Sequence, residues 1–203
     1  MESERQATVA LFHFEEAARV LGSATFRALA IDAFDNDEMA RAAAVTPTGM
    51  SAILGGDRDE VLAAIAEHGL TPANDNGPGQ IVAAGTTEQL ASLAAAAPKG
   101  ARVRPLSVAG AFHSTHMAPA VDHVAHLARS VSTHDPRTRF ISNADGTVVH
   151  DGREVLRRIV GQIARPVRWD LCLESMVDIG VSGILEMPPA GTLTGIAKRF
   201  FRD

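Results

Sequence analysis

The chain has 203 residues, 46% hydrophobic and 21% charged, which is enough to bury a core and too apolar for a disordered polymer. A net charge of -5 and the lack of a Lys/Arg run give no electrostatic footprint for nucleic acid, and 4% aromatic residues leave no base-stacking platform. The single cysteine, Cys172, excludes an intrachain disulfide and a cysteine-rich zinc site and fits a reducing cytoplasm. No run approaches the ~20 apolar residues of a membrane span, and a start containing Glu2, Glu4 and Arg5 is not that of a signal peptide.

Residues 1–47 read as a helical, alanine-rich leader, with Phe14, Ala17, Ala18 and Leu21 at helical spacing, broken by Thr46-Pro47-Thr48-Gly49. Residues 48–109 have a different rhythm. Met50 to Leu54 reads as a strand, Asp57 caps a helix through Glu67 ended by Gly69, and Leu70 to Asn74 is extended. Asn76-Gly77-Pro78-Gly79 is a turn before the β-rich run Gln80 to Ala84. Thr86 or Thr87 opens a helix closed by Pro98-Lys99-Gly100, and Ala101 to Val108 is a final strand. The order β-α-β-β-α-β is that of a ferredoxin-like unit.

Residues 110–203 read as a second α/β part. Helices are expected over 117–131, from Glu154 to Ile163, and from Pro166 to Ile179, closed by Gly180, with Trp169 in the core. Phe140-Ile141-Ser142 is a short strand running into the turn Asn143-Ala144-Asp145-Gly146. Gly183 to Met187 is a strand, Pro188-Pro189-Ala190-Gly191 a tight loop, and Thr192 the cap of a last helix. Strand, glycine loop and helix at the end suggest a parallel α/β layer. Gly191 raises the alternative of a phosphate cradle at a helix N-terminus, a plain strand-to-helix turn being the preferred reading. Cys172, in an apolar helix, reads as a small buried hydrophobe and not a nucleophile.

One residue stands out for chemistry. His113, in Val108-Ala109-Gly110-Ala111-Phe112-His113-Ser114, sits between an apolar strand and a polar helix start. An imidazole held at such a junction suits a general base, because it titrates near neutral pH. His113, His116, His123 and His126 also form two His-x-x-His pairs, which raises a metal site as an alternative. The interval between the pairs spreads them, and only Asp122 supplies a carboxylate beside them. Solvated helix histidines plus one functional base is the preferred reading.

Several segments, in this order, share a pattern: Asn76-Gly77-Pro78-Gly79-Gln80-Ile81-Val82, Gly110-Ala111-Phe112-His113-Ser114, Ser142-Asn143-Ala144-Asp145-Gly146, Gln162-Ile163-Ala164-Arg165-Pro166-Val167-Arg168-Trp169 and Pro189-Ala190-Gly191-Thr192-Leu193-Thr194-Gly195. Together they resemble the malonyl-CoA:acyl carrier protein transacylases of fatty acid and polyketide synthesis, especially the actinobacterial type, over residues 42–203. The resemblance implies an α/β fold: a partial, α/β-hydrolase-like acyltransferase core (110–203) with an inserted ferredoxin-like subdomain (48–109), behind a leader (1–47) that does not match. It implies a malonyl-serine ester formed by a serine in a Gly-x-Ser-x-Gly elbow, with His113 as base in both half-reactions. A backbone carbonyl at Gln162 would accept a hydrogen bond from the imidazole and fix its tautomer as an aspartate does in a triad. Phe112 matches the residue that narrows the acyl pocket for malonyl, and Asn76, with Asn74, would contact the pantetheine arm.

The resemblance implies no cofactor beyond the substrate malonyl-CoA. It also implies acyl carrier protein as partner, no nucleic acid or membrane, a monomer if complete, and a cytoplasmic location. Arg102, Arg104, Arg165, Arg168, Lys198 and Arg199 are candidates for docking an acidic carrier.

The departures are as informative. No Gly-x-Ser-x-Gly elbow is present: Ser51 lacks the second glycine, and Ser107 and Ser114 only flank His113. The family's early Gly-Gln-Gly segment, which supplies oxyanion-hole N–H groups, is absent. Asp35, four residues before Met39, stands where the family has an arginine for the malonate carboxylate. The chain also stops soon after its last helix. The expectation is a truncated form, inactive as this chain alone. The alternative is a non-catalytic acyl-CoA or carrier-protein binding module.

Overall fold

The computed structural model describes residues 9–10, 46–108, 110–187 and 191–201. A strand β1 (Val9–Ala10) comes first. It differs from the helical expectation at that point, and its neighbours Thr8 to Phe12 form a β-branched and apolar run. The rest of the expected leader helix, with Phe14, Ala17, Ala18, Leu21, Asp35 and Met39, lies outside the described residues.

From residue 48 the period-two pattern of strands is broken by two helical stretches. Strand β2 (Thr48–Gly55), helix α1 (Arg58–Glu67), β3 (Thr71–Asp75), β4 (Gln80–Thr86), α2 (Thr87–Ala95) and β5 (Ala101–Pro105) follow in order. Each helix start has its own signal. The Asp57 carboxylate accepts from the N–H groups of Asp59 and Glu60, and Thr86 and Gln89 form a reciprocal capping box. The sheet order is β5-β2-β4-β3, each pair antiparallel.

Because β2 and β4 pair residue for residue, alternate positions define two faces. Ile53, Ile81 and Ala83 face the helices, in a core with Val61, Ile65, Leu90 and Leu93. Met50, Ala52, Val82 and Ala84 face the other way, with Ala73 and Ala111. Strand β5 ends at Pro105, three residues short of the expected Val108. Proline brings no N–H, and although Leu106 still donates to Met50, Val108 N–H turns back to the Leu106 carbonyl and bends the chain away.

The second half begins with a 3₁₀ turn (Thr115–Met117) and α3 (Ala118–Ala128). The hairpin of β6 (Phe140–Ile141) and β7 (Val148–Val149) follows, the second strand not being read from the sequence. Helix α4 (Gly152–Gln162) is capped by Asp151 and packs its Val155, Leu156 and Val160 on Val124 and Val149. The helix expected from Pro166 starts later. Val167–Arg168 form β8, parallel to Asn74–Asp75 of β3, so β8 is the fifth strand of this sheet and makes it mixed. β3 would otherwise be an open edge with unpaired N–H and C=O groups.

Helix α5 (Trp169–Asp178) then builds a core with Trp169, Cys172, Leu173 and Met176, to which Ile196 and Ala197 of α6 (Thr192–Phe200) belong. Between them β9 (Gly183–Ile184) pairs in parallel with β1 and stops well before Met187. The result is an α/β fold with a mixed sheet.

Ile65 is fully buried between α1 and the sheet. Ile65→Ala is expected to lower the stability of the chain by about 2–5 kcal/mol, measured by urea unfolding followed by circular dichroism. A loss below about 0.5 kcal/mol would mean that the cavity collapses or that this face is not the core.

Candidate functional site

The segment after β5 crosses the sheet on the face away from α1 and α2. Ala111 anchors it: the residue is fully buried among Met50, Ala52 and Val82, and its N–H donates to Thr48 Oγ1 at 3.3 Å. Phe112 is half-buried and packs on the same cluster, so its ring borders the small side chains of that face. His113 follows with φ +58°, the one non-glycine residue with positive φ among those described. Such a conformation in a residue with a Cβ is held by its surroundings, and it often marks a functional position.

Those surroundings are specific. The end of an α-helix leaves carbonyls without intrahelical partners and carries partial negative charge. At the end of α4, the Gln162 carbonyl accepts from His113 Nδ1 at 2.7 Å. The next carbonyl, of Ile163, accepts from the His113 N–H at 3.1 Å. Ring and backbone of one residue are thus both tied to the same helix end. With the proton on Nδ1, the ring's Nε2 is left with its lone pair. Burial pushes the imidazole below its ordinary value, while the Gln162 carbonyl acts in the opposite sense by favouring the protonated ring. The outcome is a neutral ring at pH 7, the state a base requires.

The serines expected to flank this centre are otherwise engaged. Ser51 is buried and sits at the β2 position opposite Ala83, on the helix-covered face, away from Phe112. Ser114 is fully buried, donates to the Ala111 carbonyl at 2.6 Å and caps the 3₁₀ turn through His116 N–H. Ser107 is exposed in the loop after β5. Asn76 lies at the turn after β3, where its N–H closes the hairpin on the Gln80 carbonyl at 3.0 Å. Asn74, half-buried, pairs with Val82 and Val167. Among the described residues no group of three or more His, Cys, Asp or Glu is placed to hold a metal ion, and no helix is long and apolar enough to cross a membrane.

Two expectations about the C-terminal part are settled by burial and charge. Thr192 does not cap α6. The buried Glu186 carboxylate instead accepts from the N–H groups of Gly191, Leu193 and Thr194 and from the Thr194 hydroxyl, all within 3.0 Å. The anion seat at this helix N-terminus is therefore filled from within the chain, and Gly191 cradles no phosphate. The Thr194 and Leu193 N–H groups hold the Glu186 carboxyl down to about 2. The Cys172 thiol is fully buried, and desolvation pushes it up to about 12, so it stays protonated and unreactive. Glu186 was not read as a cap, since it stands five residues ahead of the glycine that opens the helix; a lone acidic residue before Pro188-Pro189 was the available signal.

Of the arginines proposed for docking, Arg168 is committed to Asp170 through two hydrogen bonds, and Arg199 bonds Gln80. Arg102 and Arg104 are exposed on the edge strand β5, opposite Leu54 and Ala52, and so lie on the sheet face that carries Phe112. A cavity of about 230 Å³ opens elsewhere, between the start of α1, the β3–β4 turn and α5 and α6, with Ile53, Arg58, Glu174 and Phe200 in its wall. It lies on the helix-covered side of the sheet and does not include His113.

The malonyl CoA-acyl carrier protein transacylase of Mycobacterium bovis is 50% identical over 175 residues, 86% of this chain and 58% of that protein. The crystal structure of MCAT from Mycobacterium tuberculosis superposes with a TM-score of 0.86 at 47% identity, over 92% of this chain and 63% of that one. Over most of its length, this chain is a relative of the malonyl-CoA:acyl carrier protein transacylases. A third relative, the malonyl-transacylase in complex with its type II PKS acyl-carrier protein, has a TM-score of 0.82 at 26% identity, over 96% of this chain and 66% of that one. No protein-family model matches the chain. The chain spans about three fifths of the length of its curated transacylase relatives.

The lowered affinity of His113 for a proton has a signed consequence. In the unfolded chain the ring titrates near ~6.5; in the fold it titrates lower. Between those values the unfolded chain holds more protons, so stability contributed by the neutral ring is present above ~6.5 and lost as pH falls towards the folded value. The His113 ring is expected to titrate below ~6.5 by NMR, and His113→Gln to flatten that part of the stability–pH curve. A His113 midpoint above ~6.5 would contradict the buried, neutral ring.

Proposed function

We propose that this chain carries the base half of a malonyl transfer from malonyl-CoA to the phosphopantetheine thiol of acyl carrier protein, and that the 203 residues alone do not turn over. The reading is supported by the contact of His113 Nδ1 with the Gln162 carbonyl at 2.7 Å, which leaves Nε2 free to take a proton. In the first half-reaction Nε2 removes the proton of a serine hydroxyl as it attacks the malonyl thioester, and passes it to the sulfur of coenzyme A, which leaves as the thiol. In the second, Nε2 takes the proton of the carrier's thiol as that sulfur attacks the malonyl-serine ester, and returns it to the serine oxygen as the ester bond breaks. The Gln162 carbonyl keeps the tautomer throughout, in the place a triad carboxylate holds elsewhere.

Phe112, beside His113 and packed on small residues, narrows the acyl pocket in favour of malonyl over bulkier acyl groups. Asn76, at the β3–β4 turn, contacts the pantetheine arm. The reading of 48–109 as a ferredoxin-like insert is supported by the element order and by the strand order β5-β2-β4-β3. Exposed Arg102 and Arg104 supply positive charge for an acidic carrier, and complementary charge of this kind speeds encounter. The related malonyl-transacylase whose structure is in complex with its acyl-carrier protein supports a carrier as partner.

Inactivity of the isolated chain follows from chemistry. Without the Gly-x-Ser-x-Gly elbow and the early Gly-Gln-Gly segment it lacks a nucleophile and oxyanion donors, and one missing donor alone costs ~10²–10³ in rate. The same absence favours a second reading, a binding module for acyl-CoA or the carrier protein in which His113 moves no proton.

Incubation with radiolabelled malonyl-CoA is expected to leave the chain unlabelled, and a labelled serine would overturn the inactivity. Addition of the elbow-bearing segment of a mycobacterial relative is expected to restore labelling, and His113→Ala to abolish it. Carrier binding with no transfer under any of these conditions would favour the binding module. In a titration with holo-acyl carrier protein, Arg102→Glu with Arg104→Glu is expected to weaken binding about tenfold or more and to reduce its salt dependence.

A further inference from the structure

The carbonyl that meets His113 belongs to the last residue of α4, where regular helical pairing stops. After Gln162 the turn contacts are long, Ala164 N–H to Gly161 at 3.3 Å and Arg165 N–H to Gln162 at 3.4 Å, and the Ile163 carbonyl is given to His113 N–H at 3.1 Å. Pro166 has no N–H with which to close the turn. Regular structure resumes only at β8. A carbonyl in such a segment would rotate unless something else held it.

The holding group is the side chain of Gln162 itself. Its Nε2 donates to the Arg165 carbonyl at 2.9 Å and to the Pro166 carbonyl at 2.8 Å, so both amide protons are spent on the loop that follows. The two bonds fold residues 162–166 into a closed ring. One end of that ring is α4, and the other is β8, fixed by its pairing with β3. The Gln162 carbonyl belongs to this ring and reaches His113 Nδ1.

We propose that the Gln162 side-chain amide is a positioning group for His113: it locks the residue's own carbonyl towards the ring and thereby sets the Nδ1–H tautomer. The proposal rests on the reading of His113 as the base, and it assigns to the side chain a role separate from that of the backbone carbonyl. Glutamine fits because one amide nitrogen must serve two acceptors. A glutamate of the same shape would turn acceptor oxygens on two carbonyls. A methionine of similar length would fill the space with no donor at all.

The test uses the full 203-residue chain labelled with ¹⁵N-histidine. In the wild type the neutral His113 ring is expected to show a protonated Nδ1 and a bare Nε2. In Gln162→Met the ring-nitrogen shifts are expected to move to those of mixed tautomers, and the titration midpoint of His113 to shift, while far-UV circular dichroism is unchanged. An Arg165→Ala chain, which keeps its backbone carbonyl, is expected to retain the wild-type pattern. Unchanged His113 nitrogens in a folded Gln162→Met chain would overturn the positioning role and leave His113 as base intact.

Should Gln162→Met fail to fold, the wild type still decides. Both Gln162 side-chain amide protons are expected to exchange with solvent at least tenfold more slowly than a free carboxamide, and exchange at the free rate overturns the clamp. A bare Nδ1 in the wild type overturns the positioning role together with the base geometry. Failure of the complementation with an elbow-bearing segment, beside the expected nitrogen pattern, removes the base reading while the clamp stands.

Discussion

The fold depends on the way the last turn of α4 spends its carbonyls. A helix end is obliged to find donors for groups it cannot satisfy internally, and here two successive carbonyls, of Gln162 and Ile163, find them in one residue. His113 is held by ring and backbone at once, and its positive φ is the cost of meeting both acceptors. The electrostatics follow from the same geometry. The negative end of α4 favours charge on the imidazole as a proton arrives, while burial keeps the ring neutral beforehand.

Everything that fixes α4 relative to the sheet therefore bears on the ring. The crossing segment is pinned at Ala111, whose small side chain fits the tight face of Met50, Ala52 and Val82. Just past the same end of α4, β8 adds to the free edge of β3. Arg58 reinforces that edge by donating twice to Asp75, a carboxylate that also takes the Gly77 N–H. The sheet of β2 to β5 is thus joined to the His113 acceptor through one strand of two residues.

How much of this was legible in the sequence follows from which interactions are local. Asp57, Thr86 and Asp151 sit beside the N–H groups they cap, so those helices began where the residues implied or within two positions of it. The apolar and β-rich runs between 50 and 108 marked the strands, and the Asn76–Gly79 turn their hairpin. What escaped depends on partners distant in the chain. Val167–Arg168 looked like a helix start after proline, and only the unpaired edge of β3 makes it a strand. Val9–Ala10 is a strand by virtue of β9. Glu186 is a cap because its carboxylate meets N–H groups five to eight residues further along the chain. His113 was recognisable by its place between strand and helix and Gln162 by resemblance, whereas the Ile163 carbonyl and the Gln162 amide carry no sequence signature.

The pairing of β1 with β9 has a kinetic meaning. The strands from β2 to β5 close loops of intermediate length, the widest pair being Ser51 with Pro105. Joining Val9 to Gly183 instead closes almost the entire polypeptide for a ladder of two residues. Loop-closure entropy grows with the length enclosed, and contacts of high sequence separation must wait for others to shorten the effective loop. During synthesis the insert can condense as soon as β5 has emerged. The first strand has to stay uncommitted until almost the whole chain has been made.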